Sequence, residues 1–161
     1  MRLTVAPHKP NLDPIDGKPR FKILKEDHLT TVKLPFAFTL SIMVRKGYST
    51  DGASVPEGVS EEICGTPWDM PRLLAAIVHD ALYSIKWKCR WLCDQIYRLI
   101  LVQNGYGNAK ASIEYSAIRI GGLKRWKSVT KEEKRWARNL VEVKLIPTQA
   151  FNVYTLFANA A

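Results

Sequence analysis

The chain has 161 residues, of which 47% are hydrophobic, and a formal net charge of +9. This length and composition allow one sizeable hydrophobic core, which excludes a largely disordered protein. The longest apolar runs, Leu34 to Val44 and Leu73 to Val78, are far shorter than the roughly 20 residues that cross a bilayer, so no membrane span is expected. The first residues also lack the basic, apolar and small-residue regions of a secretion signal.

The N-terminal third of the chain changes from turn-forming to strand-forming composition. Residues 1–20 are rich in Pro and Asp-Gly signals, which favour an irregular arm. Residues 21–56 predict a small antiparallel sheet and a loop. The β-favouring runs are Phe21 to Leu24, His28 to Val32 and Phe36 to Val44. The run Gly47 to Pro56 is typical of a tight loop that can present backbone amides and a carboxylate.

Residues 70–146 predict three to four helices from apolar periodicity and from helix start and stop signals. The predicted helices run from Met70 to Lys86, from about Arg90 to Gln103, from Asn108 to Ile120, and from Thr130 to the residue before Pro147. Pro71 favours the first helix start, Gly121-Gly122 is expected to stop the third helix, and Thr130 with Glu133 forms a capping-box pattern. The short break at Trp87-Lys88 favours an antiparallel hairpin of the first two helices.

These elements predict one α+β domain over residues 1–161, in which an N-terminal antiparallel sheet packs on the helical bundle. The tail, residues 150–161, is apolar and aromatic, and it is expected to form a closing strand or a docking segment.

His79 and Asp80 lie in the middle of the most apolar helix, where an unpaired charge would be costly to bury. Tyr83 shares a helix face with His79, and an antiparallel second helix would bring Asp94 across that face. Such a carboxylate-imidazole pair, with the Tyr83 hydroxyl as a further donor, is a general-base arrangement. The alternative is a buried structural network that only fixes the hairpin.

Asp80 projects away from His79, toward the loop that follows the sheet. With Asp51 and loop carbonyls it could bind a hard cation such as calcium or magnesium. The alternative is that Asp80 caps loop amides. The three cysteines, Cys64, Cys89 and Cys93, favour reduced thiols over a disulfide framework or a zinc site.

Several nucleophilic and nucleotide sites are disfavoured. The sequence has no Gly-x-Ser-x-Gly elbow and no Gly-rich phosphate loop. Residues 119–161 contain nine basic and three acidic residues, and Trp126 and Trp136 lie among them. Because a Trp at helical spacing usually belongs to the core, nucleic acid is the less favoured partner for this basic region.

Three groups of residues resemble an uncharacterised phage and prophage family, the domain of unknown function 1353 family. The similar stretches are the run Gly47 to Pro56, the run Ala75 to Tyr83 with Arg90-x-x-x-Asp94, and the run Tyr115 to Gly122 with Trp126. The resemblance covers roughly residues 21–126. It implies a phage gene, with the virion or the host cytoplasm as the expected location, but it implies no established activity.

The His79-Asp80-x-x-Tyr83 motif with Asp94 is similar, more distantly, to the core of secreted phospholipases of the A-two type. This similarity implies His79 as general base, Asp94 as its orienting partner, Tyr83 as a donor to Asp94, and Asp80 as a calcium ligand. The chain departs from those enzymes because Ala75 and Ala76 replace cysteines that flank their motif, and no Gly-rich calcium loop is present.

Two functions follow as hypotheses. The first is a virion-associated structural protein of the tail or neck, with other virion proteins as partners. The alternative is a phage hydrolase that acts on lipid or cell-envelope esters, with calcium as the candidate cofactor.

Overall fold

The structure, a computed structural model, describes residues 10, 12–15, 18–34, 38–50, 52 and 69–147. These residues form two three-stranded antiparallel sheets and four helices, which confirms the α+β class. The strands are β1 (Leu12–Ile15), β2 (Lys18–Leu24), β3 (His28–Leu34), β4 (Phe38–Val44), β5 (Ser49–Thr50) and β6 (Val141–Pro147). The helices are α1 (Met70–Ser84), α2 (Arg90–Gln103), α3 (Asn108–Ser128) and α4 (Lys131–Leu140).

The prediction that residues 21–48 form a single sheet is wrong, because the predicted strands belong to two separate sheets. One sheet has the order β1-β2-β5, and the other has the order β3-β4-β6. The prediction of an irregular arm over residues 1–20 is also wrong in part, because β1 and the start of β2 lie within it. Strand β2 pairs with β1 on one side and with β5 on the other. Phe36, the loop beyond Gly52 and the tail from residue 148 lie outside the described residues.

The second sheet buries one of its faces. In β4, Leu40, Ile42 and Val44 are buried and alternate with more exposed residues, as the period of a strand requires. The partner β3 contributes Val32, which pairs with Leu40. These side chains belong to one apolar cluster that also includes residues of all four helices. Helices α1 and α2 therefore pack on the buried face of the second sheet.

Helix α1 is buried over almost its whole surface, as its apolar composition predicts. Pro71 lies in its first turn, where the missing N–H removes no helical hydrogen bond. The connection to α2 contains Lys86 and Lys88, both with positive φ, and this sharp break turns the chain back. Helices α1 and α2 are in extensive contact, so the predicted hairpin is confirmed, and α2 has the predicted bounds.

The two C-terminal helix predictions need correction. Helix α3 continues through Gly121-Gly122 to Ser128, because Gly122 provides space for another side chain rather than a helix stop. Helix α4 begins at the predicted cap, where the Thr130 side chain accepts a hydrogen bond from the Glu133 amide. It ends at Leu140, and residues 141–147 form β6 beside β4. Among the described helices, none combines the length and apolarity that crossing a bilayer requires.

Candidate functional site

The central side chains of the site come from the helical hairpin. His79 and Tyr83 are one turn apart on α1, and their rings lie 4.1 Å apart between centroids. Asp94, in the second turn of α2, lies opposite them, with its carboxylate fully buried. His79 Nε2 lies 2.8 Å from Asp94 Oδ1. The structure therefore places His79 and Asp94 in contact, as the sequence predicts, and the chemical role of the pair stays a prediction.

Asp94 also receives hydrogen bonds from two further side chains. Tyr83 donates its hydroxyl proton to Oδ1 at 2.5 Å, which is the predicted contact. Arg119 of α3 donates to Oδ2 at 2.6 Å, and Arg90 Nη1 lies 3.7 Å from the same oxygen. Arg90 also donates to the Arg119 carbonyl at 2.9 Å. One carboxylate thus ties three helices together.

The donors around Asp94 keep it ionised. Burial acts to raise the pKa of Asp94, but hydrogen bonds from His79, Tyr83 and Arg119 outweigh burial and hold the pKa below its ordinary value. An ionised carboxylate can only accept, so His79 Nε2 carries the proton and donates it. The tautomer of His79 is thereby fixed, with the lone pair on Nδ1.

The imidazole is neutral near physiological pH. Burial lowers the pKa of His79 below its ordinary value, although the hydrogen bond to Asp94 acts in the opposite direction. The charges of Arg125 and Arg90 lower it further. Nδ1 has no hydrogen-bond partner among the described residues, and about 10% of the side chain remains accessible to solvent. The arrangement therefore offers an oriented, uncharged base with one unengaged nitrogen.

Aromatic rings enclose the pair. Tyr97 of α2 meets the His79 ring edge-on at 5.3 Å between centroids, and Trp126 of α3 meets the Tyr83 ring edge-on at 5.0 Å. Gly122 lies against the Tyr83 hydroxyl, where a Cβ would come within 2.8 Å of the oxygen. These contacts leave little freedom for the two α1 side chains to rotate.

Asp80 faces a different part of the structure from His79, as expected. Its Oδ2 accepts a hydrogen bond from Thr50 Oγ1 at 2.7 Å, and Thr50 Oγ1 in turn accepts from the Gly52 amide at 3.1 Å. Asp80 is thus connected to the start of the loop through the Thr50 side chain. Arg125 lies close enough for the Asp80 charge to contribute to the raised pKa of the guanidinium, a shift that burial opposes.

Asp51, the second proposed metal ligand, lies outside the described residues. No group of three His, Cys, Asp or Glu side chains suited to a metal ion occurs in the part of the chain that the structure describes. Calcium takes six to eight oxygen ligands, and here Asp80 supplies a carboxylate that already accepts the Thr50 hydroxyl and has a guanidinium nearby. The described residues alone do not complete a calcium site.

Arg119 and Arg125 are site residues to which the sequence analysis gave no role. Arg119 contacts Asp94, and Arg125 forms an ion pair with Glu133 and donates to Ser84 Oγ at 3.1 Å. Ser84 Oγ is also 3.1 Å from the Tyr48 hydroxyl. Both arginines lie on α3, one on each side of Gly121-Gly122. A helix that continued past the glycines would have indicated Arg125, whereas Arg119 lies within the predicted third helix and its contact with Asp94 depends on how that helix packs.

The cysteines do not form part of the site. Cys89 is the exposed N-cap residue of α2, whereas Cys93 is buried, and both are free. Burial raises the pKa of the Cys93 thiol to about 12, which makes it a poor nucleophile. Cys64 lies outside the described residues.

A protein-family model matches the chain. The family described as "protein of unknown function (DUF1353)" matches residues 31–118, which is more than half of the chain. The chain belongs to the DUF1353 family. Searches of the curated proteins and of the solved structures found no match.

The DUF1353 match covers most of the site. It includes His79, Tyr83 and Asp94 as well as Asp80, and it ends one residue before Arg119. The family description names no activity, so the chemistry of the site has to be argued from its geometry.

Proposed function

We propose that this DUF1353 protein is a hydrolase in which His79 and Asp94 activate water for attack on an ester. The observation that carries the proposal is the 2.8 Å contact between His79 Nε2 and an ionised, fully buried Asp94 carboxylate. That contact leaves the lone pair of Nδ1 available to take a proton.

Water is the nucleophile that this geometry favours. No Ser, Thr or Cys side chain hydrogen-bonds to His79 within the described residues, so no side-chain nucleophile stands next to the base. In the proposed reaction, Nδ1 removes a proton from water as the oxygen attacks the ester carbonyl. The imidazolium that forms is stabilised by Asp94, and it returns its proton to the leaving alcohol.

Each neighbour of Asp94 has a role in this scheme. Tyr83 and Arg119 keep Asp94 ionised and in place, which fixes the tautomer of His79. The lowered pKa of His79 keeps the imidazole unprotonated at neutral pH, as a base requires. We expect the acid limb of the activity profile to lie below pH 6.5, the usual pKa of histidine.

The substrate and the cofactor are inferred from two resemblances. Similarity to secreted phospholipases suggests a lipid or cell-envelope ester, and it assigns calcium to Asp80 with Asp51. Resemblance to a phage and prophage family suggests that the enzyme acts from the virion or in the host cytoplasm.

The test is hydrolysis of p-nitrophenyl esters and of phospholipid vesicles, with calcium or with a chelator. We expect His79→Gln to lower the rate by about 10²- to 10⁴-fold, because a general base is removed while the Gln amide can still donate to Asp94. His28→Gln is the matched control, since His28 is a buried histidine of β3 outside the site. Equal rates for the parent protein and His79→Gln would rule out His79 as the base.

Calcium is tested separately. Asp80→Asn should abolish any stimulation by calcium if Asp80 is a ligand. If the rate is the same with calcium and with chelator, hydrolysis proceeds without the metal and the role of Asp80 is confined to its bond with Thr50.

A virion-associated structural protein of the tail or neck is the second candidate. The observation that favours it is that Asp94 joins α1, α2 and α3 through His79, Tyr83 and Arg119, which is also how a purely structural lock would be built. Mass spectrometry of purified particles from a phage that encodes the protein tests this candidate, and absence of the protein from the particle would dismiss it.

A further inference from the structure

Helix α4 presents four cations along one side. Lys131, Lys134, Arg135 and Arg138 follow the i, i+3, i+4, i+7 spacing of a single helix face, and with Asn139 they line one surface recess. We call these four cations the α4 basic stripe. They span about 10 Å of helix at 1.5 Å per residue.

The α4 basic stripe is not neutralised within the described part of the chain. None of its four members forms an ion pair there. Glu133 is engaged by Arg125 and Ser84, and Glu132, which flanks the stripe three residues before Arg135, is one carboxylate beside four cations. Residues 115–131 contain no Asp or Glu, so the end of α3 adds no acid beside the stripe.

Three of the four cations, Lys131, Lys134 and Arg135, do not stabilise the helix through its dipole, whereas Arg138 lies in the last turn, where a cation is favourable. Like charges three and four residues apart repel, and cations in the first turns oppose the helix dipole. Residues chosen only for the stability of α4 would place acids at Lys131 and Lys134. The charge pattern is therefore better explained by an external anion.

The opposite side of α4 is anchored, so the stripe is held in place. Ala137 is fully buried, and Glu133 joins α4 to α3 and α1. Trp136 stacks on Tyr48 at 5.4 Å between ring centroids. A fixed row of cations requires little ordering when it meets a row of anions.

We propose that the α4 basic stripe binds the phosphate backbone of nucleic acid without reading its sequence. A stripe of about 10 Å faces a length of duplex with roughly six phosphates, at one charge per 1.7 Å. This proposal is independent of the proposed hydrolase activity, because none of the four cations contacts His79 or Asp94.

A lipid surface fits the stripe less well. A helix that lies on a membrane needs large apolar side chains beside its cations. The large apolar residues of α4 are Trp136, which stacks on Tyr48 although 41% of it is exposed, and Leu140, which packs against the core. One partly exposed ring gives α4 little apolar surface to insert into a membrane, and the proposed contact is to phosphates.

The experiment measures fluorescence anisotropy of a labelled 20-base-pair DNA duplex with the full chain at 50 to 200 mM salt. If four phosphates are neutralised, log affinity falls against log salt with a slope of about −3 to −4, an affinity loss on the order of 10²-fold over this range. Lys134→Gln/Arg138→Gln should lower the slope to about −2 and weaken binding at 50 mM salt.

The matched control is Lys33→Gln/Lys110→Gln, which removes the same charge from exposed sites on β3 and α3. The control should bind like the parent protein, and circular dichroism should show both variants folded. Equal weakening by the two double variants would reduce the effect to net charge and overturn the proposal. No binding at 50 mM salt, or tighter binding to vesicles of phosphatidylserine and phosphatidylcholine than to DNA, would also overturn it.

Discussion

Two buried carboxylates, Asp94 and Glu114, each contact tyrosine and arginine side chains. Asp94 also contacts a histidine. Asp94 accepts from Tyr83 and Arg119 and faces His79. Glu114 of α3 forms an ion pair with Arg72 at 2.9 Å and accepts from Tyr97 at 2.5 Å. Its other tyrosine partner is Tyr106.

The difference between the clusters lies in titration and access. The Glu114 cluster includes no histidine among the described residues, and burial raises the pKa of its Tyr97 hydroxyl further above neutrality. Arg72 and Glu114 are also almost completely buried. The Asp94 cluster adds an imidazole, on a side chain that is about 10% exposed. A carboxylate with tyrosine and arginine is thus a way to join helices, and the histidine is what adds chemistry.

The largest expected effect breaks the purely structural cluster. Glu114→Ala should lower the free energy of unfolding by about 3–5 kcal/mol, because it leaves the Arg72 guanidinium buried without its carboxylate. Urea unfolding measures this loss. Glu142→Ala is the control, since it removes exposed ion pairs with Arg45 and Lys144 and should lower the free energy of unfolding far less. Losses of equal size would show that the Glu114 cluster is no stronger than a surface pair.

An intermediate effect is expected at the Asp94 cluster. Gly122→Ala should destabilise the protein by about 1–3 kcal/mol, because the new methyl group would lie 2.8 Å from the Tyr83 hydroxyl. Gly121→Ala is the matched control, because a Cβ at Gly121 would have no neighbouring side chain or other element within 4 Å. It should stabilise the protein, since Ala favours a helix over Gly by about 1 kcal/mol. Opposite signs for the two variants in thermal unfolding are expected. If both stabilise, Tyr83 is free to move.

The smallest effect concerns pH and separates the clusters most sharply. The pKa of His79 is lower in the folded protein than its ordinary value of 6.5, so the unfolded chain binds more protons between the two values. Stability should therefore fall as pH decreases below 6.5, by no more than about 1.4 kcal/mol per pH unit for one proton. Urea unfolding of the parent and of His79→Gln at pH 5 to 8 measures this dependence.

The variant should lose the decline in stability between pH 6.5 and 5. The lowered pKa of Asp94 contributes a loss only below its ordinary value of 3.8, outside this window. A decline that persists in His79→Gln would assign the pH dependence to another group.

The helical hairpin was predictable because two strong periodic patterns meet at a short break. Once α1 and α2 were antiparallel, helical spacing alone placed His79, Tyr83 and Asp94 together. Arg119 was not predictable in the same way, because it lies within the predicted third helix and its contact with Asp94 depends on how α3 packs against the hairpin. Two glycines ordinarily end a helix. Here Gly122 lies within the helix, where any side chain would come too close to the Tyr83 hydroxyl.

The strands were harder to predict than the helices. The run Val141 to Lys144 alternates apolar and polar residues, which is a strand pattern, but it directly follows a helix that Thr130 caps at its N-terminus, so the predicted helix extends over it. Partner choice was also hidden, because β6 pairs with β4 across about 100 residues of sequence. Local pattern indicates a strand, whereas its neighbour depends on the packed structure.

Helix α4 ends at Leu140 and strand β6 begins at the next residue, Val141. This junction limits where the chain can accept an insertion. No loop residue separates the two elements, so an inserted amino acid would have no connection to absorb it. It would shift the strand by one position, turning Val141 outward from the core. We therefore expect a one-residue insertion at the Leu140–Val141 junction of this chain to destabilise the protein.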